Sequence, residues 1–201
     1  MKRLLPLFIF VFGLLSFCSQ AQQAQQYLPN QEVRVNGFQP AEARAHDALS
    51  VLAASLATLI QNKDVCCGKN SALEDAVAAL DPHALKDAAA KLNGRHLLSD
   101  GRPFTVTAQF YPGDAINSGI LIQSLHSNQP MLLQWDSHTY VLYGAAYDET
   151  TDQFANLNYS IRSLQLWDLR YTDYRRKATF NRQTDDPAKL QGLMTISVAL
   201  P

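Results

Sequence analysis

Hydrophobic positions change their period partway along the chain. From Ala41 they recur at steps of three and four. Leu49, Leu52, Ala53, Leu56, Leu59 and Ile60 share one face and predict a helix that stops near Gln61. Past the segment Gln61 to Leu73, a second helical face carries Ala72, Leu73, Ala76, Val77 and Leu80, with Ser71 and Glu74 placed to form a capping box. A third helix is expected with Asp81 as N-cap, Pro82 in its first turn, Leu85, Ala88, Ala89 and Leu92 as its apolar face, and Gly94 as its C-cap. The period then drops to two. Phe104 to Phe110 alternates and is rich in β-branched residues, which predicts a strand. Asp114 is expected to cap a short helix carrying Ile116, Ile120, Leu121 and Leu125. Met131 to Trp135 and Thr139 to Tyr147 predict two strands joined by Asp136-Ser137-His138. Asp148 to Asn156 reads as a polar connection, and Tyr159 to Trp167, Ala178 to Phe180 and Leu193 to Val198 as further strands. Helices first and mostly antiparallel strands afterwards predict an α+β architecture, with no internal repeat.

The start of the chain follows neither period. Lys2 and Arg3 precede an apolar run from Leu4 to Phe17 broken only by Pro6, Gly13 and Ser16. That run is shorter than the roughly 20 residues a membrane-spanning helix needs, and it fits the core of a secretory signal. Ser19 and Ala21 are small residues at the −3 and −1 positions, so a signal peptide over 1–21 and a periplasmic or secreted mature chain are expected. Cys18 raises the rival reading of a lipid anchor, against which the bulky Phe17 counts. Residues 22–40, rich in glutamine at their start, read as a flexible leader, and 41–201 as one domain long enough to bury a core.

Composition narrows the function classes. Against 17 basic and 18 acidic residues, removal of Lys2 and Arg3 leaves a mildly acidic chain. No basic block or aromatic-interleaved basic stripe is present, so nucleic acid is not expected as a partner. No second hydrophobic run follows the first, so no membrane attachment is expected after signal cleavage. Arg95 and Arg102, in segments with Gly94 and Gly101 turn chemistry, read as solvated loop residues, and the Asp173 to Lys177 run as an exposed face or strand edge. Of three cysteines, the mature chain keeps the neighbours Cys66 and Cys67, which cannot staple a fold. The five histidines show no ligand spacing with them, so neither a metal nor a cofactor is expected.

Acyl transfer through a thiol needs a cysteine held as thiolate, an imidazole beside it, a donor for the oxyanion and a polar group that fixes the imidazole. Cys67 lies just before an amphipathic helix, Gln61 precedes it, His138 stands at a strand junction and Asp168 ends a strand. Taken singly, these are an unremarkable buried thiol, a helix-end amide, a strand-end polar residue and a turn residue.

Together they resemble papain-like cysteine peptidases, notably the bacteriocin-processing branch. Cys67-Gly68-Lys69-Asn70-Ser71-Ala72-Leu73, with Gln61 upstream, is similar to the opening motif of that branch. His138-Thr139-Tyr140-Val141-Leu142-Tyr143-Gly144 looks like its histidine strand, and Leu164-Gln165-Leu166-Trp167-Asp168 like the strand that ends in its aspartate. The resemblance implies a papain-like fold, with Cys67 as nucleophile, His138 as base, Asp168 as orienter and Gln61 as side-chain oxyanion donor. A peptide or small amide is the substrate it implies. The third motif departs from the family, because Leu169 follows Asp168 where proline is usual. The spacing from His138 is also long, which implies an insertion at 148–156 and leaves Asp148, Asn156 and Asn158 open as alternative third members. Cys66 is the alternative nucleophile; Gly68 favours Cys67 by allowing close backbone approach. Three functions stay open: an exported cysteine hydrolase, an inactive papain-like binding protein, and a cysteine acyltransferase or transglutaminase-like enzyme. In an oxidising compartment Cys66 and Cys67 have a vicinal disulfide open to them.

Overall fold

Past Phe104 the described residues are mostly strand, with one α-helix among them. A computed structural model describes residues 25–38, 84–97, 101–136, 138–168, 171, 177–181 and 183–199. The signal segment, the two helices expected before Asp81, and the caps Ser71, Glu74, Asp81 and Pro82 lie outside the described residues. The elements are β1 (Gln26–Arg34), α1 (Leu85–Leu92), β2 (Gly94–Leu97), β3 (Pro103–Pro112), α2 (Ser118–His126), β4 (Met131–Trp135), β5 (His138–Thr151), β6 (Leu157–Trp167), β7 (Lys177–Asn181) and β8 (Leu190–Ala199). Single 3-10 turns at Gly113–Ala115 and Pro187–Lys189 precede α2 and β8. The strands form one sheet in the order β2-β3-β8-β4-β5-β6-β7, with β1 paired to β5 beside that path. Every strand pairing among the described residues is antiparallel, so the architecture is α+β.

Both faces of the sheet are covered, which explains why its central strands read as apolar runs instead of alternating. Met131, Leu132 and Leu133 are all fully buried on β4. On one face Leu121, Ile122 and Leu125 of α2 join Leu133, Leu142, Leu164, Leu166 and Leu193 in a single core. On the other, α1 packs against β3 and β8. It buries Leu85, Ala88, Ala89 and Leu92 near Phe104, Val106 and Ala108. The Asn93 side chain ties the end of α1 to β3 by donating to the Ala108 carbonyl at 2.7 Å and accepting from the Ala108 N–H at 2.7 Å. The end of α2 is tied to β5 through His126 Nε2 and the Tyr147 hydroxyl, 2.9 Å apart. Burial, and secondarily Glu149 and Tyr159, raise that hydroxyl above its ordinary pKa.

β5 organises the sheet because one of its edges is shared by two strands. β4 pairs with residues 138–142 and β1 with residues 144–151. Between them Tyr143 is an extra residue: Leu142 faces Leu166 on β6, and Gly144 already faces Gln165. A bulge of this kind reverses which side chains face inward. Tyr140 and Leu142 enter the α2-side core before it, Ala145 and Tyr147 after it. The sheet also curls. Trp135 on β4 and Phe180 on β7 have ring centroids 5.1 Å apart, although β5 and β6 lie between their strands. In a flat sheet those strands stand about 14 Å apart.

Four expectations change. The segment read as a flexible leader contains β1, whose mostly exposed side chains hide it from periodicity. Gly94 is not a C-cap but, at φ 135°, the first residue of β2, and Arg95 is an exposed residue of that strand, not of a loop. The polar 148–156 connection is strand over its first four residues and a turn over the other five: β5 continues to Thr151, where partners on both edges satisfy its backbone, and β6 starts at Leu157. Asp114 falls in the 3-10 turn, and α2 is capped by Asn117, whose Oδ1 accepts the Ile120 N–H at 2.9 Å. Asn117→Ala is therefore expected to cost about 1 kcal/mol. Urea unfolding monitored by circular dichroism measures it, with Asp114→Ala as the variant expected to stay close to the parent.

Candidate functional site

Gln61, Cys66 and Cys67 lie outside the described residues; His138 and Asp168 lie within them. Each of these two is placed by a strand end. The β4–β5 hairpin turns at Asp136, and Trp135 pairs with His138 at its base. Asp136 adopts φ 49°, a left-handed turn conformation that aspartate tolerates. The hairpin tip is clamped from outside: the Asp136 N–H donates to the Lys189 carbonyl at 3.0 Å, and Lys189 Nζ sits 3.2 Å from Asp136 Oδ2.

Within this turn the His138 ring is oriented by the main chain. His138 Nδ1 lies 2.7 Å from the Asp136 carbonyl oxygen. A carbonyl only accepts, so Nδ1 carries the ring proton and the neutral ring leaves its lone pair on Nε2. His138 lies beside Tyr140, ring centroids 6.5 Å apart, and Tyr140 lies 6.0 Å from Trp135. The imidazole thus stands against an aromatic wall that joins it to the α2-side core. The indole Nε1 of Trp135 is buried and has no hydrogen-bond partner, alone in this among the described residues. Such a group costs about 1–3 kcal/mol.

Asp168 follows β6, one step beyond the Trp167–Val141 pair, so the register sets it opposite Tyr140 and diagonal to His138. The strand alternation gives it the face of Leu164 and Leu166, which is also the face of Tyr140. Diagonal neighbours of this kind are about 7–8 Å apart. Asp168 is 3% exposed and is the sole buried polar or charged residue among those described. A carboxylate taken from water is expensive unless partners compensate it, and Asp168 is engaged in an interaction of its own.

The fold separates the alternative third members from His138. Asp148 is on the same strand but at its far end, about 33 Å along at about 3.3 Å per residue. Asn156 shapes the β5–β6 turn, its Nδ2 donating to Asp152 Oδ2 at 2.9 Å. The side-chain amide and then the backbone N–H of Asn156 hold the Asp152 carboxyl below its ordinary pKa. Asn158 is the second residue of β6, beside that turn. None of the three reaches the His138 end of the hairpin.

The Asp136 carbonyl and Trp135 are the parts that residue reading missed. A main-chain carbonyl carries no residue-type signal, and only the two-residue spacing between Trp135 and His138 hinted at it. Among the described residues no group of three or more His, Cys, Asp or Glu side chains is placed to hold a metal ion. No helix among them is long and apolar enough to cross a membrane. Compared with protein-family models, with curated proteins and with solved structures, the chain matches none.

Proposed function

We propose that this is an exported cysteine hydrolase of the papain-like type, cleaving an amide bond in a peptide or small amide. The observation that carries the reading is the buried Asp168 carboxylate at the strand end next to the one bearing His138. An acidic side chain buried there costs free energy that an apolar residue of similar size would not. It does serve an imidazole that must become cationic on the same face. The Nδ1 contact with Asp136 supports the same role, since it leaves Nε2 as the basic nitrogen.

In this mechanism His138 Nε2 takes the Cys67 thiol proton, and the thiolate attacks the carbonyl carbon. The electron pair moves to the carbonyl oxygen, where the Gln61 side-chain amide and the Cys67 N–H donate hydrogen bonds. Collapse breaks the C–N bond, and the His138 imidazolium protonates the leaving amine. Water, deprotonated by His138, then attacks the thioester, releases the carboxylic acid and returns the thiol proton. Asp136 holds the ring in its tautomer, and Asp168 stabilises the imidazolium through its field.

The test is alkylation of the reduced mature protein with iodoacetamide at mildly acidic pH, followed by peptide mapping. Cys67 is expected to react well ahead of a free model thiol, and His138→Ala to remove that advantage. If neither Cys66 nor Cys67 outpaces the model thiol, the activated-thiolate reading fails.

A further inference from the structure

Among the described residues, the outer edge of β6 is only partly used. β6 runs from Leu157 to Trp167, and β7 pairs with residues 163–167 alone. Along residues 157–162 no strand lies beside that edge among the described residues. The open stretch is about 20 Å long at about 3.3 Å per residue. Its side chains are exposed at Leu157, Asn158, Ser160 and Arg162 and half-buried at Tyr159 and Ile161. Where β7 stops, a cleft of about 740 Å³ opens, lined by Ala146, Asp148, Ser160, Arg162, Asn181 and Gln183 among others. That volume falls in the usual range for ligand sites.

The cleft is a constructed feature. Two strand irregularities on opposite sides of β5 converge on Asp148. In β1 the register shifts between Leu28 and Gln31, with Asn30 at φ 59°. In β6 Arg162 is an extra residue, since Ala146 faces Ser163 and Tyr147 already faces Ile161. The Asn30 N–H donates to Asp148 Oδ1 at 2.9 Å, and Arg162 Nη1 donates to Asn30 Oδ1 at 2.6 Å. Arg162 Nε lies 3.5 Å from Asp148 Oδ1. The floor is therefore polar, braced and charge-compensated. The end wall is equally fixed: the Asn181 N–H donates to Asp185 Oδ2 at 2.6 Å, and its Oδ1 accepts from the Gln183 N–H at 3.0 Å. At the opposite, open end the exposed Phe154, Leu157 and Tyr27 gather on the tip of the β1–β5–β6 ribbon.

We propose that the free edge of β6 is a docking slot for an extended peptide, which adds as a strand in line with β7 and lays every second side chain over the cleft. Strand addition satisfies the open main-chain groups, and side chains on alternate sides give selectivity. One side meets Ser160, Asn181 and Gln183, which suit short hydroxyl or amide side chains. The other meets Tyr159 and Ile161, which suit apolar ones. The preferred peptide alternates small polar and apolar residues and carries little net charge, because Asp148 and Arg162 already neutralise each other. A second folded copy fits less well. The slot is closed by β7 at one end, and a ladder of six residues is short against the roughly 1,200 Å² that stable protein interfaces bury. The proposal does not rest on the thiol chemistry.

The test uses the Cys67→Ala protein, so that binding is read apart from cleavage. The probes are a fluorescein-labelled octapeptide of alternating threonine and valine, the same peptide N-methylated on either alternate set of residues, and a block-ordered isomer. Fluorescence anisotropy is expected to show saturable, salt-insensitive binding of the alternating peptide. One N-methylated set and the block isomer should each bind at least tenfold more weakly. Ser160→Arg, a substitution at an exposed position, should weaken binding to a similar degree while leaving the urea midpoint in place. No saturable binding overturns the proposal, and so does equal binding of both N-methylated peptides. A dimer in sedimentation that Ser160→Arg dissociates assigns the edge to a second copy and overturns it as well.

Discussion

Alanine in place of Cys67 is expected to lower amide hydrolysis by about a thousandfold or more, and alanine in place of His138 to do nearly the same. The two groups act as one unit, so the double variant should be little worse than either single one. Turnover of a fluorogenic peptide by the reduced protein is the measurement. Asp168→Asn should cost less, because the Asp136 carbonyl still orients the ring. Its mark should be a lower kcat at a little-changed KM, since the imidazolium formed during the reaction has lost the nearby negative charge. If Cys66→Ala silences the protein and Cys67→Ala does not, the nucleophile is the neighbour. If both keep turnover, the thiol mechanism is wrong.

Leu142→Ala should be the most damaging single truncation on the sheet, at about 2–5 kcal/mol. Leu142 is fully buried on β5, paired to Met131 on one side and Leu166 on the other, in the core that α2 covers. Little around it is able to collapse into the void, because its neighbours are held by ladders on both edges. Total stabilities of about 5–15 kcal/mol make such a loss a large fraction of the whole. Urea unfolding should show a lower midpoint at an unchanged slope. Phe154, 74% exposed in the β5–β6 turn, is the contrast, and Phe154→Ser should stay within about 0.5 kcal/mol of the parent. A Leu142→Ala loss below 1 kcal/mol would contradict the packing of β5 described above.

The sequence was most legible where burial and periodicity coincide. β4 reads correctly at both ends because its apolar run is buried on both faces and bounded by turn residues. The apolar face of α1 is likewise plain from Leu85, Ala88, Ala89 and Leu92. β1 and β2 were missed for the opposite reason. In β1 only Val33 is buried, so the strand is specified by its ladder to β5, and a ladder involves backbone groups common to every residue. The far halves of β5 and β6 misled in the same way: Asp148, Glu149, Thr150 and Thr151 look like a polar loop and are a half-exposed ribbon. The site divides along the same line. His138 and Asp168 stand out in the sequence as candidates because their side chains are chemically distinctive. The carbonyl that aims His138 belongs to the peptide unit, and its position follows only from the turn geometry. The bulges at Tyr143 and Arg162, which decide what faces the core and what faces the cleft, also lack a composition of their own.

The pairing of β1 with β5 has a consequence for the order of folding. Their contacts join positions as far apart as Asn30 and Asp148, a separation of 118 residues. Closing a loop of that size costs about 4 kcal/mol in chain entropy, beyond a constant term. The first of the described strands to be made therefore waits for one made more than a hundred residues later, and residues 144–151 gain their β1 partner only when it docks. A chain built in this way stays incompletely folded while it is being made. For the exported chain proposed above, which would be threaded through a membrane before it folds, a late-closing front strand is a timer written into its topology.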